Sequence, residues 1–294
     1  MPVTLVIVAS AVFVLVRVSG DEVAILLPPE ATAEQRALLR DELHLNDPPP
    51  VQLALFLAQA ARLDFGRSLY YQRPAIAVVA ERIPATLELA VAAMLVAVLV
   101  GVGLGILAGV WEGSPLDWLV TAGASIGQSL PSFWLGILLI LLFAVNLHWV
   151  PTSGRGTVVQ LLMPVATLAA FLIPQILVMA KASLTDVLTD PYVTVARAKG
   201  LRPSTVVLRH ALPNALNPVV TTIGLQFGAL MGGAVITETV FAWPGLGRLG
   251  VEAVFNRDLP TVEAAVLVLA LGVAVSNIAV DVVNALLDPR IRSA

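Results

Sequence analysis

The stretch TLELAVAAMLVAVLVGVGLGILAGV, Thr86 to Val110, carries one charge, Glu88, near its start. At 1.5 Å per residue, about 20 such residues cross a hydrocarbon layer of about 30 Å, and a soluble core needs no run so long. Comparable blocks recur at Pro2–Ser19, Trp118–Asn146, Val159–Lys181, Asn214–Phe241 and Thr261–Leu287. Hydrophobic residues make up 58% of the chain and charged ones 13%, about half the usual charged share. The sequence therefore predicts an all-α integral membrane protein with six transmembrane helices.

The first block is short and ends at Arg17. It lacks the basic n-region and the small-residue cleavage site of a signal peptide, so we read it as a span with a trimmed or mis-assigned start. Short loops set orientation. Lys181, Arg197, Lys199, Arg202, Arg209, Arg290 and Arg292 fall on one side, against Arg155, Arg248 and Arg257 on the other. This bias places both termini in the cytoplasm.

Four regions follow. Residues 1–19 are the first span, 20–85 an extracytoplasmic helical cap, 86–287 the main membrane domain with a cytoplasmic loop at 182–213, and 288–294 a cytoplasmic tail. Within the cap, ATAEQRALLRDELHL reads as a helix with Thr32 and Gln35 at capping-box spacing. Pro48, Pro49 and Pro50 are expected to end it before a second helix, VQLALFLAQAARL.

The inventory of chemistry is thin. A net charge of −3 argues against nucleic acid, and the absence of cysteine excludes disulfides and thiol catalysis. The lysines, Lys181 and Lys199, are not preceded by glycine, so no P-loop is present. His44, His148 and His210 are too scattered for a metal site on one element, and no H-E-x-x-H or G-x-S-x-G occurs. No catalytic residue, metal site or cofactor is expected on this chain.

Gly101, Gly105 and Gly109 share one helix face, as do Gly224, Gly228 and Gly232. Small residues at this spacing let membrane helices approach closely. An intramolecular contact is the expectation, with a subunit interface as the alternative. Glu238 and Asp281 are acids in apolar spans, costly at a span centre unless they face protein or water. We assign Asp281 a structural role and leave Glu238 open between structure and function. Gln128, Ser129 and Ser132 surround Pro131, Gln175 follows Pro174, and Gln226 sits mid-span. With Glu238 these are candidates for a translocation pathway, against the plainer reading of interhelical hydrogen bonds.

One basic island interrupts the apolar sequence, YVTVARAKGLRPSTVVLRHALPNA from Tyr192 to Ala215. Asp190–Pro191 predicts a helix start with aspartate at the N-cap, and Gly200 a left-handed stop. A second short helix is expected from about Ser204 to Leu212–Pro213. An anchor for orientation needs only charge, whereas two ordered helices suggest a docking surface.

Here the sequence resembles a known family. Ala196 and Gly200, followed by Leu212 and Pro213, resemble the signature loop of permease subunits of binding-protein-dependent ABC importers. The fuller string YVTVARAKGL…LRHALPNALNPVV is similar to the dipeptide, oligopeptide and nickel branch. DFGRSL, RIPATLELA, SLPSFWLGILLILLF, FGALMGGAVITETVFAWPGLGRL and ALLDPRIR extend the resemblance from about Leu63 to Arg292. The chain departs from the broader family at Thr194–Val195, where Glu–Ala is frequent, and in lacking a basic stretch before the first span.

The resemblance implies the type I importer permease architecture and a second, similar permease subunit, expected as a heterodimer. It implies two ATP-binding subunits that carry ATP and Mg, and an extracytoplasmic solute-binding protein. By position, Tyr192, Ala196, Arg197, Ala198, Lys199 and Gly200 would couple to the ATPase, with Leu212 and Pro213 fixing the exit into the membrane. The expected solute is a di- or oligopeptide, with nickel or glutathione as alternatives. The competing readings are a proton-coupled secondary transporter using Glu238 or Asp281, and a membrane scaffold that recruits a cytoplasmic partner.

Overall fold

The computed structural model describes residues 2–19, 23, 31–42 and 44–287, with the backbone alone at 2, 19, 42, 233 and 283–287. The sequence readings at Arg290, Arg292 and the tail 288–294 lie outside the described residues, as does most of 20–30.

In chain order the helices are α1 (Pro2–Ser19), α2 (Ala33–Glu42), α3 (Pro49–Ala61), α4 (Ala75–Ala80), α5 (Ile83–Val110), α6 (Pro115–Ser129) and α7 (Ser132–Leu139). Then come α8 (Val158–Leu188), α9 (Pro191–Ala198), α10 (Pro203–Thr205), α11 (Leu212–Val240), α12 (Leu246–Phe255) and α13 (Leu259–Leu287). Wider π-helical turns extend α7 over Ile140–Asn146 and α10 over Val206–Ala211. Among the described residues α8, α13 and the run Ala75–Val110 are long and apolar enough to cross a membrane, and two bent pairs reach that length together. The shorter α1 is apolar apart from Thr4, Ser10, Arg17 and Ser19.

The chain forms two compact units. One is built from the described residues of Met1–Ala85 and Pro244–Ala274, the other from those of Thr86–Trp243 and Val275–Ala294.

In the first unit the predicted capping box forms. The Gln35 amide donates to Thr32 Oγ1 at 3.2 Å, and the Thr32 amide donates to Gln35 Oε1 at 2.9 Å. The three prolines do not end α2, which stops at Glu42; they begin the next helix. Pro48 caps α3 and Pro49 and Pro50 fill its first turn, where a missing N–H costs nothing. A core of Phe65, Val78, Val79, Leu246 and Leu249 holds the unit together. Beside it Asp258 is fully buried and caps α13. Its Oδ1 accepts from the Leu69 amide at 2.9 Å, and its Oδ2 from Ser68 Oγ at 2.5 Å and Thr261 Oγ1 at 2.7 Å. The loop carrying DFGRSL is thus fastened to the start of the last span.

In the second unit the glycine face of α5 lies against α8, as the intramolecular reading requires. A Cβ on Gly101 would stand 3.0 Å from Ile176 Cβ, one on Gly105 2.6 Å from Ala180 Cβ, and one on Gly109 3.3 Å from Leu184 Cδ2. The second set is mixed, since Gly224 meets Val280 closely whereas Gly232 has nothing within 4 Å.

The third predicted span is not one helix. It breaks at Leu130–Pro131, and the two halves meet at 98°. Pro131 has no N–H and disfavours a helical residue before it, so Leu130 turns extended with φ −88° and ψ 132°. Pro164 and Pro174, by contrast, lie inside an unbroken α8. Pro174 leaves the carbonyl of Ala170 without its helical donor, and Gly127 of α6 backs onto that oxygen, 3.4 Å from where a Cβ would sit. The fourth span also runs on past Lys181 to Leu188, directly into the basic loop.

Candidate functional site

At the break between α6 and α7 lies a cavity of about 400 Å³. It gathers Gln128, Ser129 and Ser132 from the break with Gln226 from mid-α11, four of the residues the sequence nominated. The rest of the wall is apolar, from Leu130 and Pro131 at the break, Leu168, Phe171 and Leu172 of α8, and Ala229 and Leu230 of α11, and no charged side chain contributes. The Ser129 hydroxyl donates to the Ser125 carbonyl at 2.9 Å, so it offers the cavity an acceptor. The break itself leaves irregular backbone facing a cavity inside the protein, the setting in which it is tolerated within a bilayer. The lining can hydrogen-bond a neutral polar solute and hold it weakly.

Two nominated residues are elsewhere. Gln175 is half-buried on α8, away from the cavity. Glu238 is 0% exposed near the end of α11, where its Oε1 accepts from Thr86 Oγ1 at 2.7 Å. The Trp243 amide donates to its backbone carbonyl at 2.8 Å, closing the helix end. Near it Arg155 donates through Nε to Glu88 Oε2 at 2.7 Å and lies over the Trp243 ring. Asp281 is exposed on α13 rather than packed into the helices.

The basic island folds as the short helix α9, a turn at Gly200 and a second helical segment, and the φ of +77° at Gly200 is the left-handed conformation predicted for it. Asp190 occupies the N-cap of α9, but its side chain makes no capping bond. The inner face of the loop packs Val193, Ala196 and Val206 onto Val187 and Leu188 at the end of α8. Ala196 is therefore buried and shapes the loop from within. Tyr192, Arg197, Ala198, Lys199 and Gly200 are exposed, together with Val195, Leu201 and Leu208, which sequence reading passed over. Their signal lay in VTVARA, where Val193 and Ala196 share a face and leave Val195 opposite.

Leu212–Pro213 does not end a helix. The chain passes from Pro203 through a π-helical segment straight into α11, and the Leu212 amide donates to the Val207 carbonyl, five residues back. Pro213 lacks an N–H and crowds the carbonyl four residues before it, and the wider π turn absorbs that conflict. Tyr192 secures the junction by accepting from Asn214 Nδ2 at 2.8 Å and donating to the His210 carbonyl at 3.3 Å.

Residues 101–293 match the family described as binding-protein-dependent transport system inner membrane component. The chain is 42% identical over 290 residues to the glutathione transport system permease protein GsiC of Salmonella paratyphi A, covering 98% of this chain and 95% of that relative. The GsiC protein of Escherichia coli K12 is 41% identical with the same coverage. Among solved structures, an inward-facing MetNI methionine ABC transporter superposes with a TM-score of 0.62 at 21% identity, over 72% of this chain and 96% of that one. An amino acid ABC transporter with histidines gives 0.54 at 17% identity, over 72% and 94%. These last two speak to the fold alone, which is that of type I importer permeases.

Proposed function

This chain belongs to the inner membrane components of binding-protein-dependent transport systems, as an ABC importer permease of the dipeptide, oligopeptide and nickel branch, and from that premise we propose that it carries short peptides of glutathione size. The sequence alone favoured di- or oligopeptides with glutathione as an alternative, and relatives 41–42% identical that are named glutathione permeases move the proposal toward the tripeptide. A neutral, largely apolar wall that carries two amides and two hydroxyls suits a solute whose peptide groups need a few hydrogen-bonding partners.

Energy enters through the basic loop. The observation that carries this reading is its outer face, where Tyr192, Val195, Leu201 and Leu208 expose apolar surface beside Arg197 and Lys199. A loop whose inner face is packed onto α8 has that outer face left for a partner. The partner is one of two ATP-binding subunits, which hold ATP and Mg, so hydrolysis belongs to them and not to this chain. A second, different permease subunit completes the pathway, and an extracytoplasmic solute-binding protein delivers the peptide. Both termini and the loop 182–213 face the cytoplasm, and 20–85 faces outward. Closure of the ATPase pair draws the loops together and tilts α8 and α11, opening the pathway outward until hydrolysis resets it.

A proton-coupled mechanism through Glu238 has less support, since that carboxyl is buried against Thr86 and not at the cavity. A photo-reactive probe at Lys199 in native vesicles tests the reading. Capture of a nucleotide-hydrolysing subunit is expected, and its consistent absence would sink the coupling role. Uptake of labelled glutathione against a longer peptide and nickel then tests the solute.

A further inference from the structure

Resting on the transport reading above, we propose that the ion pair of Asp117 and Lys181 is the tie through which movement of the basic loop reaches the cavity. Both are positioning residues for transport. Lys181 Nζ lies 2.5 Å from Asp117 Oδ1. Asp117 is only 7% exposed, and the Lys181 side chain is 23% exposed. A lysine kept merely to orient the chain would hold its ammonium in water. This one is turned inward, onto a carboxylate that is itself fixed: the Gly113 amide donates to Oδ2 at 3.0 Å and the Thr121 hydroxyl to Oδ1 at 3.1 Å.

The position of the pair gives it a task. Val187 and Leu188, which carry the packed inner face of the loop, follow Lys181 by under two turns of the same continuous helix. Any tilt imposed on the loop therefore turns the Lys181 end of α8. On α6, Gln128 stands eleven residues beyond Asp117, about three turns, and so shares its face. On α8, Ala170 stands eleven residues before Lys181, and its carbonyl is the one that Gly127 approaches. The two helices are thus held together at the pair near one end and at Gly127–Ala170 beside the cavity. The opposite face of α6, at Leu119 and Ile126, is exposed. With the pair intact, α6 follows α8 and takes Gln128 and Ser129 with it. Without the pair, α8 moves and the cavity wall stays behind.

The test uses the full importer reconstituted with its ATPase subunits and binding protein, reading uptake and ATP hydrolysis together. The chain has no cysteine of its own, so Asp117→Cys with Lys181→Cys places two thiols where the pair was. The double variant is expected to keep its ATPase subunits and to hydrolyse ATP within about twofold of wild type, while uptake per ATP falls about tenfold. Joining the thiols with a short bis-methanethiosulfonate linker restores at least about half of the lost uptake, and reductant removes it again. Unchanged uptake per ATP in the double variant, or a completed linkage that restores nothing, overturns the proposal. Loss of the ATPase subunits does so as well, since it would assign the pair to docking. Should the thiol pair fail to accumulate, Lys181→Arg is expected to remain coupled and Lys181→Met to uncouple, and equal coupling in the two overturns the proposal. Failure of the wild-type complex to couple hydrolysis to uptake is a separate result that removes the transport reading itself.

Discussion

The Thr86 hydroxyl donates to Glu238 Oε1 across 2.7 Å, and neither side chain meets solvent. A carboxyl in this position joins the start of the second predicted span to the end of the fifth. Glu238→Ala removes the acceptor and leaves a void, and is expected to destabilise the protein by about 2–4 kcal/mol. Glu238→Gln keeps the shape and an accepting oxygen, and is expected to cost about 1 kcal/mol or less. Tryptophan fluorescence during thermal unfolding in detergent separates the two. Coincident curves would mean that the link does not hold these helices.

Gly105 and Gly103 make a matched pair on α5. A Cβ on Gly105 would come within 2.6 Å of Ala180 Cβ and 2.8 Å of the Leu177 carbonyl, whereas one on Gly103 meets nothing within 4 Å. Gly105→Ala is expected to cost about 1–3 kcal/mol through forced separation of α5 and α8. Gly103→Ala is expected to be neutral or slightly stabilising, since alanine is the better helix former by about 1 kcal/mol. Melting temperatures of the two variants side by side decide it, and a lower value for Gly103→Ala would overturn the packing account.

Much of this arrangement is legible in the sequence. The apolar runs located the spans, and the glycines at 101, 105 and 109 announced a face that Ile176, Ala180 and Leu184 meet at the same spacing. Local rules gave the Thr32 capping box and the left-handed turn at Gly200, because both depend on residues within one turn. What stayed hidden depends on partners far along the chain. Pro131 breaks its span while Pro164 and Pro174 do not, and no local pattern separates them. At Pro174 the freed Ala170 carbonyl lies against Gly127 of another helix, a contact that no local pattern announces. Burial of Ala196 and Glu238 depends likewise on which face the neighbours cover. Asp117 and Lys181 lie 64 residues apart, beyond the reach of any helical periodicity.

In the first unit the buried hydrogen bonds that join the loop 64–74 to the start of α13 converge on one side chain. Asp258 receives Ser68 Oγ, the Leu69 amide and Thr261 Oγ1 in a fully buried setting. Asp258→Ala deprives three donors of one acceptor at once, for an expected loss of about 3 kcal/mol. Ser68→Ala removes one of them and is expected to cost about 1 kcal/mol. Trypsin should then cut faster at Arg67 or Arg73 in Asp258→Ala than in Ser68→Ala, and slowest in wild type. Equal cutting rates would show that the loop is held by its apolar contacts instead.

Gly200 separates the strain of a turn from the demands of a surface. Its φ of +77° is one that residues with a Cβ rarely adopt, so Gly200→Ala is expected to cost about 1–2 kcal/mol in the turn. Yet a Cβ there would meet nothing within 4 Å of this chain, so alanine fits without a clash and the protein is expected to accumulate normally in the membrane. Gly200→Asp adds to the same strain a charged group pointing away from the fold, beside the exposed Lys199 and Leu201. If that face is where the ATPase subunit docks, aspartate should abolish uptake while leaving membrane abundance close to that of the alanine variant. ATP hydrolysis by the complex should also lose its response to solute-loaded binding protein. Uptake by Gly200→Asp equal to that of Gly200→Ala would leave the turn explained and the docking face without support.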